Sequence, residues 1–264
     1  MPATKGFQLT TDDVLILHQV HALRIAHIDH LAALTSRSRK ALARRLFKLT
    51  EHRFLACIVR RPEKHLYAIG VAGIPVLIEH GCARQDLAAK RLRHGELKDI
   101  FLRHFLFVVD IHVRLVCLAE HGPIKLVDWR EGPALWDDVR LEDPHGRGVT
   151  TPVRPDAAFT LRDTRRPEGK NTFHFFLEAD RSTMSHARMA QKISGYLNYF
   201  QKGLYREKYP GMKSFGVATV TETRQRAESL HADLAAIIPS SSRRAYPFMA
   251  FENLSIETLA PGVF

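Results

Sequence analysis

Asp156, Glu178 and Asp180 are the residues best placed to do chemistry in this chain. Asp156 stands in PVRPDAAFTL (152–161), where a Pro-Asp pair opens a strand-like run. Glu178 and Asp180 close a second, strongly apolar run, NTFHFFLEADRST (171–183). Acidic groups at the end of a buried strand are costly unless something pairs with them. A strand period of two puts His174, Phe176, Glu178 and Asp180 on one face, and Asp156 on the hairpin partner can lie beside them. Three oxygens converging at a sheet edge suit a hard divalent cation, Mg²⁺ or Mn²⁺. Such an ion lowers the pKa of a bound water and stabilises the charge that develops on a scissile phosphate. Lys192, in the helical pattern SHARMAQKISGYLNYFQKGL, sits about 100° of helical rotation from the apolar stripe of Met189, Ile193, Tyr196, Leu197 and Phe200. From there it can reach the carboxylates. The expected catalytic group is therefore Asp156, Glu178, Asp180 and Lys192, with the three acids as metal ligands. The same residues also have plainer uses. Asp180 can cap the next helix by accepting amides near Thr183 and Met184, and Glu178 can pair with Lys192 or Arg188.

The elements that must position these groups follow one another closely. PDAAFTL and TFHFFLEAD are successive strands joined by the basic loop RDTRRPEGKN. After the helix come a buried strand (SFGVATVTE), a helix (TRQRAESLHADLAAII) and a short final strand (YPFMAFENL). The order strand, strand, helix, strand, helix, strand predicts a mixed α/β layer. Upstream, KLVDWREGPALWDDVRLEDPHGRG reads as a strand, a polar loop and a Gly/Pro-rich joint near 143–152. GELKDIFLRHFLFVVDIHVRLVCLAEHG (95–122) has the period of a long helix. Arg103, His104, Asp110, His112 and Arg114 interrupt that helix and argue against a membrane span.

A different chemistry occupies the first third. LTTDDVLILHQVHAL begins with a Thr/Asp cap cluster and repeats apolar groups at Val14, Leu15, Leu17 and Val20. AHIDHLAAL is a short second helix, and TSRSRKALARRLFKL a third, capped by Thr35 or Ser36. In the third, Leu42, Leu46 and Leu49 form an apolar stripe. Arg37, Lys40, Arg44 and Lys48 fall on the opposite face, flanked by Arg39 and Arg45. No acid lies between Arg37 and Lys48, so this face repels itself unless a polyanion neutralises it. RFLACIVRRPEKHLYAI then reads as a basic hairpin with Arg60, Arg61 and Lys64 at its tip, the wing of a winged helix-turn-helix placed against duplex DNA. His18, His21, His27 and His30 make two H-x-x-H pairs; without nearby thiolates they are expected to be core or turn histidines rather than a zinc site.

Composition agrees with a nucleic-acid partner. The net charge is +11 and the pI about 9.8, while 45% apolar residues can build real cores. Cys57, Cys82 and Cys117 are widely spaced among apolar neighbours and predict buried thiols in a reducing cytoplasm. The first residues, MPATKGFQLTTDD, lack the apolar core of a signal peptide.

Two resemblances follow from these motifs. Asp156, Glu178 and the strands around them resemble the PD-(D/E)xK nuclease core. Its pattern would put a lysine at Asp180, and the resemblance nominates Lys192 on the following helix in its place. SRKALARRLFKL, PDAAF, FFLEADRST and KISGYLNYF, in that order, are similar to the replication-relaxation family of plasmids and other mobile elements. That likeness covers most of the chain and implies a role in plasmid replication and DNA relaxation or mobilisation.

The expected architecture is α/β (α+β overall): a winged helix-turn-helix over 1–94, a connecting helix over 95–122, and a mixed-sheet PD-(D/E)xK nuclease-like domain over 123–264. The expected partner is double-stranded DNA, bound by a cytoplasmic, plasmid- or nucleoid-associated homodimer with no membrane contact. Two functions compete: a replication or mobilisation factor whose second domain is architectural, and a Mg²⁺- or Mn²⁺-dependent endonuclease. A tyrosine transesterase using Tyr196, Tyr199, Tyr205 or Tyr209 is the weakest alternative, because helical spacing makes Tyr196 and Tyr199 packing residues.

Overall fold

The computed structural model describes residues 7–58, 65–82, 99–142 and 148–259, with the side chains of 99, 100, 141, 142, 148 and 149 left out. Arg60, Arg61 and Lys64 of the expected wing lie outside the described residues. The chain divides into two compact units, Met1–Val113 and Arg114–Phe264.

The first unit contains α1 (Thr11–Leu23), β1 (Ala26–His27), α2 (Ile28–Thr35), α3 (Arg39–Glu51), β2 (Leu55–Ile58), β3 (Leu66–Ile69) and α4 (Gly73–Glu79). A long helix, α5 (Asp99–Glu120), begins in it and runs across the division. Its core is the apolar faces of the first three helices: Ile16, Leu17 and Val20, then Leu31, then Leu42, Leu46 and Leu49. In α1 the buried face includes Ile16 in place of the expected Leu15, which is exposed. The cap of α3 is Ser38, whose side chain accepts the Ala41 N–H, rather than Thr35 or Ser36. Ser36 instead ends α2 in the left-handed conformation, which breaks the helix before a new cap can form.

The strands form an antiparallel sheet in the order β1-β3-β2. Where β3 ends, Gly70 donates to the Phe54 carbonyl, and a Cβ there would lie 2.2 Å from the Arg53 carbonyl oxygen. Only glycine permits that approach. The first half of α5 is held to this unit by Leu102, which packs with Ile25 and Leu66.

The second unit contains β4 (Ile124–Glu131), β5 (Asp137–Glu142), β6 (Gly148–Val153), β7 (Ala157–Asp163), β8 (Thr172–Asp180), α6 (His186–Gln201), α7 (Tyr205–Lys208), β9 (Gly216–Thr221), α8 (Arg224–Leu234), β10 (Phe248–Ala250) and α9 (Ile256–Leu259). The central sheet runs β10-β9-β8-β7-β4. β4, β7 and β8 are antiparallel neighbours, whereas β8, β9 and β10 are parallel, as crossover through α6 and α8 requires. The stretch expected to be a polar loop contains β5, which pairs with β6 as a separate two-stranded sheet.

The strand period of β8 sorts its side chains as the alternation predicts. Phe175 stacks on Phe159, and Phe159 on Trp129, on one face. Phe176 meets Tyr196 of α6 on the other, at 5.6 Å between ring centroids. α6 buries Met189, Ile193, Tyr196 and Tyr199, while Phe200, expected in that stripe, is exposed. Tyr199 takes the buried position because its hydroxyl donates to Asp137 Oδ2 at 2.7 Å, which satisfies a polar group that burial would otherwise penalise. Gly195 lets α6 approach β6: a Cβ would stand 3.0 Å from Thr151 Cγ2. The three cysteines are free and half-buried.

Candidate functional site

Two groups of residues are built for electrostatics, one in each unit. The arginines of TSRSRKALARRLFKL divide by what they touch, and Arg37, expected on the helix face, lies ahead of α3, whose cap is Ser38. Arg45 turns toward α1, where Nε and Nη2 bind both oxygens of Asp13; Nη2 also donates to the Gln8 carbonyl at 3.0 Å. Its guanidinium lies 4.7 Å from the centre of the Phe7 ring. Asp13 is fully buried and also completes the capping box of α1, accepting the Thr10 N–H at 2.6 Å. Burial pushes the Asp13 carboxyl up, but Arg45 and Thr10 outweigh it and hold the group below its ordinary value. Arg37 pairs with Asp12, and Arg39 with Asp29 at 3.0 Å.

Lys40, Arg44 and Lys48 are exposed and form no ion pair among the described residues. The acids that neutralise the other three come from α1 and α2. A search for acids within the third helix alone misses them, although the Asp12-Asp13 pair and Asp29 are visible in the sequence. Phe47, 69% exposed, stands among the three remaining cations.

In the second unit, Glu178 lies near the C-terminal end of β8, 1% exposed. Both of its oxygens are engaged: Lys192 Nζ binds Oε2, and the Tyr196 hydroxyl donates to Oε1 at 2.6 Å. Burial pushes Glu178 up to about 7; Lys192 pulls it down and the Asp156 charge adds to the rise. Burial likewise lowers Lys192, but Glu178 and Asp156 more than compensate and leave it above its ordinary value. Asp156 uses Oδ2 to accept the Ala179 N–H at 2.8 Å, which fastens the start of β7 to the end of β8. Asp180 accepts from Arg226 Nε at 2.6 Å, and Arg226 also donates to the Met184 carbonyl at 2.5 Å. The capping role considered for Asp180 falls instead to Ser185, which accepts the Arg188 N–H. Of the two partners considered for Glu178, Lys192 rather than Arg188 holds it.

These contacts decide how well the corner fits a divalent ion. Mg²⁺ takes about six oxygens in a near-ideal octahedron. Glu178 presents both oxygens to protein donors, and Asp180 is tied to an arginine on another helix. The buried Asp180 Oδ1 has no hydrogen-bond partner, nor does Thr219 Oγ1 on β9, the strand next to β8. One orphaned carboxylate oxygen is a poor match for Mg²⁺ or Mn²⁺. Among the described residues, the three acids do not bring ligand atoms within 4.8 Å of one another; His27, His30 and Asp110 do.

That second cluster belongs to the first unit. His30 Nε2 lies 2.6 Å and His27 Nε2 3.7 Å from Asp110 Oδ1, with the imidazoles stacked at 3.5 Å. Each Nδ1 faces a backbone N–H: His27 accepts from Asp29, and His30 from His27. A neutral ring that accepts at Nδ1 carries its proton on Nε2, and it is the His30 Nε2 proton that is directed at the carboxylate, His27 Nε2 being too distant for a hydrogen bond. This is a helix cap clamped to α5, and a metal would need the lone pairs that those protons occupy. His18 and His21 take no part in it.

Tyr196, Tyr199, Tyr205 and Tyr209 are all buried. Tyr196 is pushed far above its ordinary pKa by burial and by Glu178, and Tyr199 is raised by burial and Asp137. Tyr205 donates to the Lys213 carbonyl at 2.6 Å.

The molecule is thus a mixed α/β protein with a cationic helix in one unit and a closed acid-lysine-tyrosine corner in the other. The chain belongs to the replication-relaxation family, whose model matches residues 17–214. That membership ties it to replication or relaxation of a plasmid or other mobile element. No curated protein and no solved structure matches it. No helix among the described residues is long and apolar enough to cross a membrane.

Proposed function

We propose that this protein is a duplex-DNA-binding factor in the replication or relaxation of a mobile element, with its second unit serving as an architectural domain. The observation that carries this reading is the exposed row of Lys40, Arg44 and Lys48, which remains after its neighbours have been neutralised from within. A net charge of +11 supports it. So does the chain order of three helices followed by paired strands, the order of a winged helix-turn-helix, whose third helix enters the major groove. A homodimer would set two such helices on one duplex. The test is affinity for a labelled duplex across a salt series: a steep fall with salt supports the reading, and weak, salt-independent binding overturns it.

A nuclease is the second reading, and one contact favours it. Lys192 on the helix after β8 reaches Glu178, the position to which the PD-(D/E)xK resemblance assigns it. Supercoiled plasmid incubated with Mg²⁺ or Mn²⁺ decides between the two. The architectural reading expects no nicking by the wild type; nicking that disappears in Glu178→Ala would establish the enzyme.

A further inference from the structure

The exposed phenylalanine on α3 has no use in a purely electrostatic grip. Phe47 is more exposed than any other large apolar side chain of the described residues. Its position on the helix explains why it does not fold back. At about 100° per residue, Leu42, Leu46 and Leu49 centre the buried stripe, and Lys40, Arg44 and Phe47 all fall within about 50° of the opposite pole. The side chain is therefore held away from the core by the same register that buries the leucines. Exposed Ala43, one turn before it, leaves its approach unobstructed.

A partner for this face must supply negative charge to Lys40, Arg44 and Lys48 and an apolar group between those charges. An anionic lipid surface would demand an apolar stripe as well as cations, and the stripe of α3 is spent on the core of its own unit. The major groove of DNA meets both demands: phosphates line its edges, and each thymine projects a 5-methyl group into it.

We propose that Phe47 reads sequence by packing on the 5-methyl group of a thymine in the major groove, while Lys40, Arg44 and Lys48 hold the flanking phosphates. The proposal rests on the DNA-binding reading above and names the base that the site prefers. Lysine and arginine contacts to phosphate are indifferent to sequence, so the apolar contact supplies a preference that the charges lack.

The test begins by selecting preferred duplexes from a random library with the full chain, wild type and Phe47→Ala. Each thymine of the selected site is then replaced in turn by deoxyuridine, which lacks only the methyl group, and affinities are measured. For the wild type, one replacement is expected to weaken binding by about fivefold or more, the scale of a lost base contact. Phe47→Ala is expected to bind the unmodified site more weakly by a similar factor, to ignore that replacement, and to keep the wild-type salt slope. If no deoxyuridine position matters, or if Phe47→Ala remains as sensitive as the wild type, the proposal is overturned. It is equally overturned if the variant changes only the oligomeric state by sedimentation, because Phe47 would then serve a second copy of the chain. Failure of the wild type to bind duplex DNA in a salt-dependent way would sink the DNA-binding reading itself. Salt-dependent binding without methyl dependence would sink only the role of Phe47.

Discussion

Arg45 of α3 grips Asp13 of α1 through both carboxylate oxygens, and Asp13 in turn closes the capping box at the start of α1. One arginine therefore joins the cationic helix to the first helix through a fully buried acid. Removing one partner of a buried pair strands the other charge, which costs roughly 3 kcal/mol. Arg45→Ala is expected to lower the thermal midpoint sharply, whereas Lys40→Ala and Arg44→Ala leave it nearly unchanged. Equal melting curves for all three would refute the structural role of Arg45.

DNA affinity should show the opposite pattern. Each phosphate contact contributes about 0.9 to the slope of log affinity against log salt. Replacing Lys40, Arg44 and Lys48 together with alanine is expected to reduce that slope by about 2 to 3. Fluorescence anisotropy across a salt series reads it directly, and an unchanged slope removes α3 from the phosphate interface.

The acid corner yields a prediction about coupling. Lys192→Met alone leaves Glu178 buried without its counter-charge, and Glu178→Gln alone strands Lys192. The double variant strands neither, so its destabilisation should be smaller than the sum of the two singles, measured by urea unfolding. Tyr196→Phe removes one hydrogen bond to the same carboxylate and should cost roughly 1 to 3 kcal/mol. Strict additivity would show that the pair is not coupled.

Two buried groups should pull stability in opposite directions in mild acid: Glu178, held up to about 7, favours the folded state as pH falls, and His112 opposes it. Burial holds His112 down to about 4, whereas an unfolded chain restores its ordinary 6.5. Between those values the unfolded state binds the extra proton, so stability contributed by neutral His112 is full above 6.5 and is lost as pH drops toward 4. His30 is lowered too, by burial and then against the pull of Asp110, and acts in the same direction. The test is therefore a difference: in melting curves from pH 7 to 4, His112→Leu should lose less stability, or gain more, than the wild type. An unaltered pH profile in that variant would assign the effect elsewhere.

Much of this organisation is legible in the chain because it depends on short-range periodicity. The Leu42, Leu46 and Leu49 stripe and the alternation through TFHFFLEAD both emerge from repeat lengths that hold wherever the segment is placed. Positions that depend on a polar partner are harder to read. Tyr199 replaces Phe200 in the core because Asp137 meets its hydroxyl, and the two residues are 62 positions apart. DDVRLE reads as a loop until β6 pairs with it.

By itself the sequence determined the mixed α/β order, the cationic third helix, the carboxylates at the strand ends and the family resemblance, since composition, spacing and local pattern carry all of these. Tertiary structure alone decided which charges are spent. It paired Arg37, Arg39 and Arg45 with acids from other helices and left Lys40, Arg44 and Lys48 exposed. It also filled both oxygens of Glu178 with Lys192 and Tyr196. The physical reason is that a charge's role depends on the groups within a few ångströms of it, and folding draws those groups from distant parts of the chain.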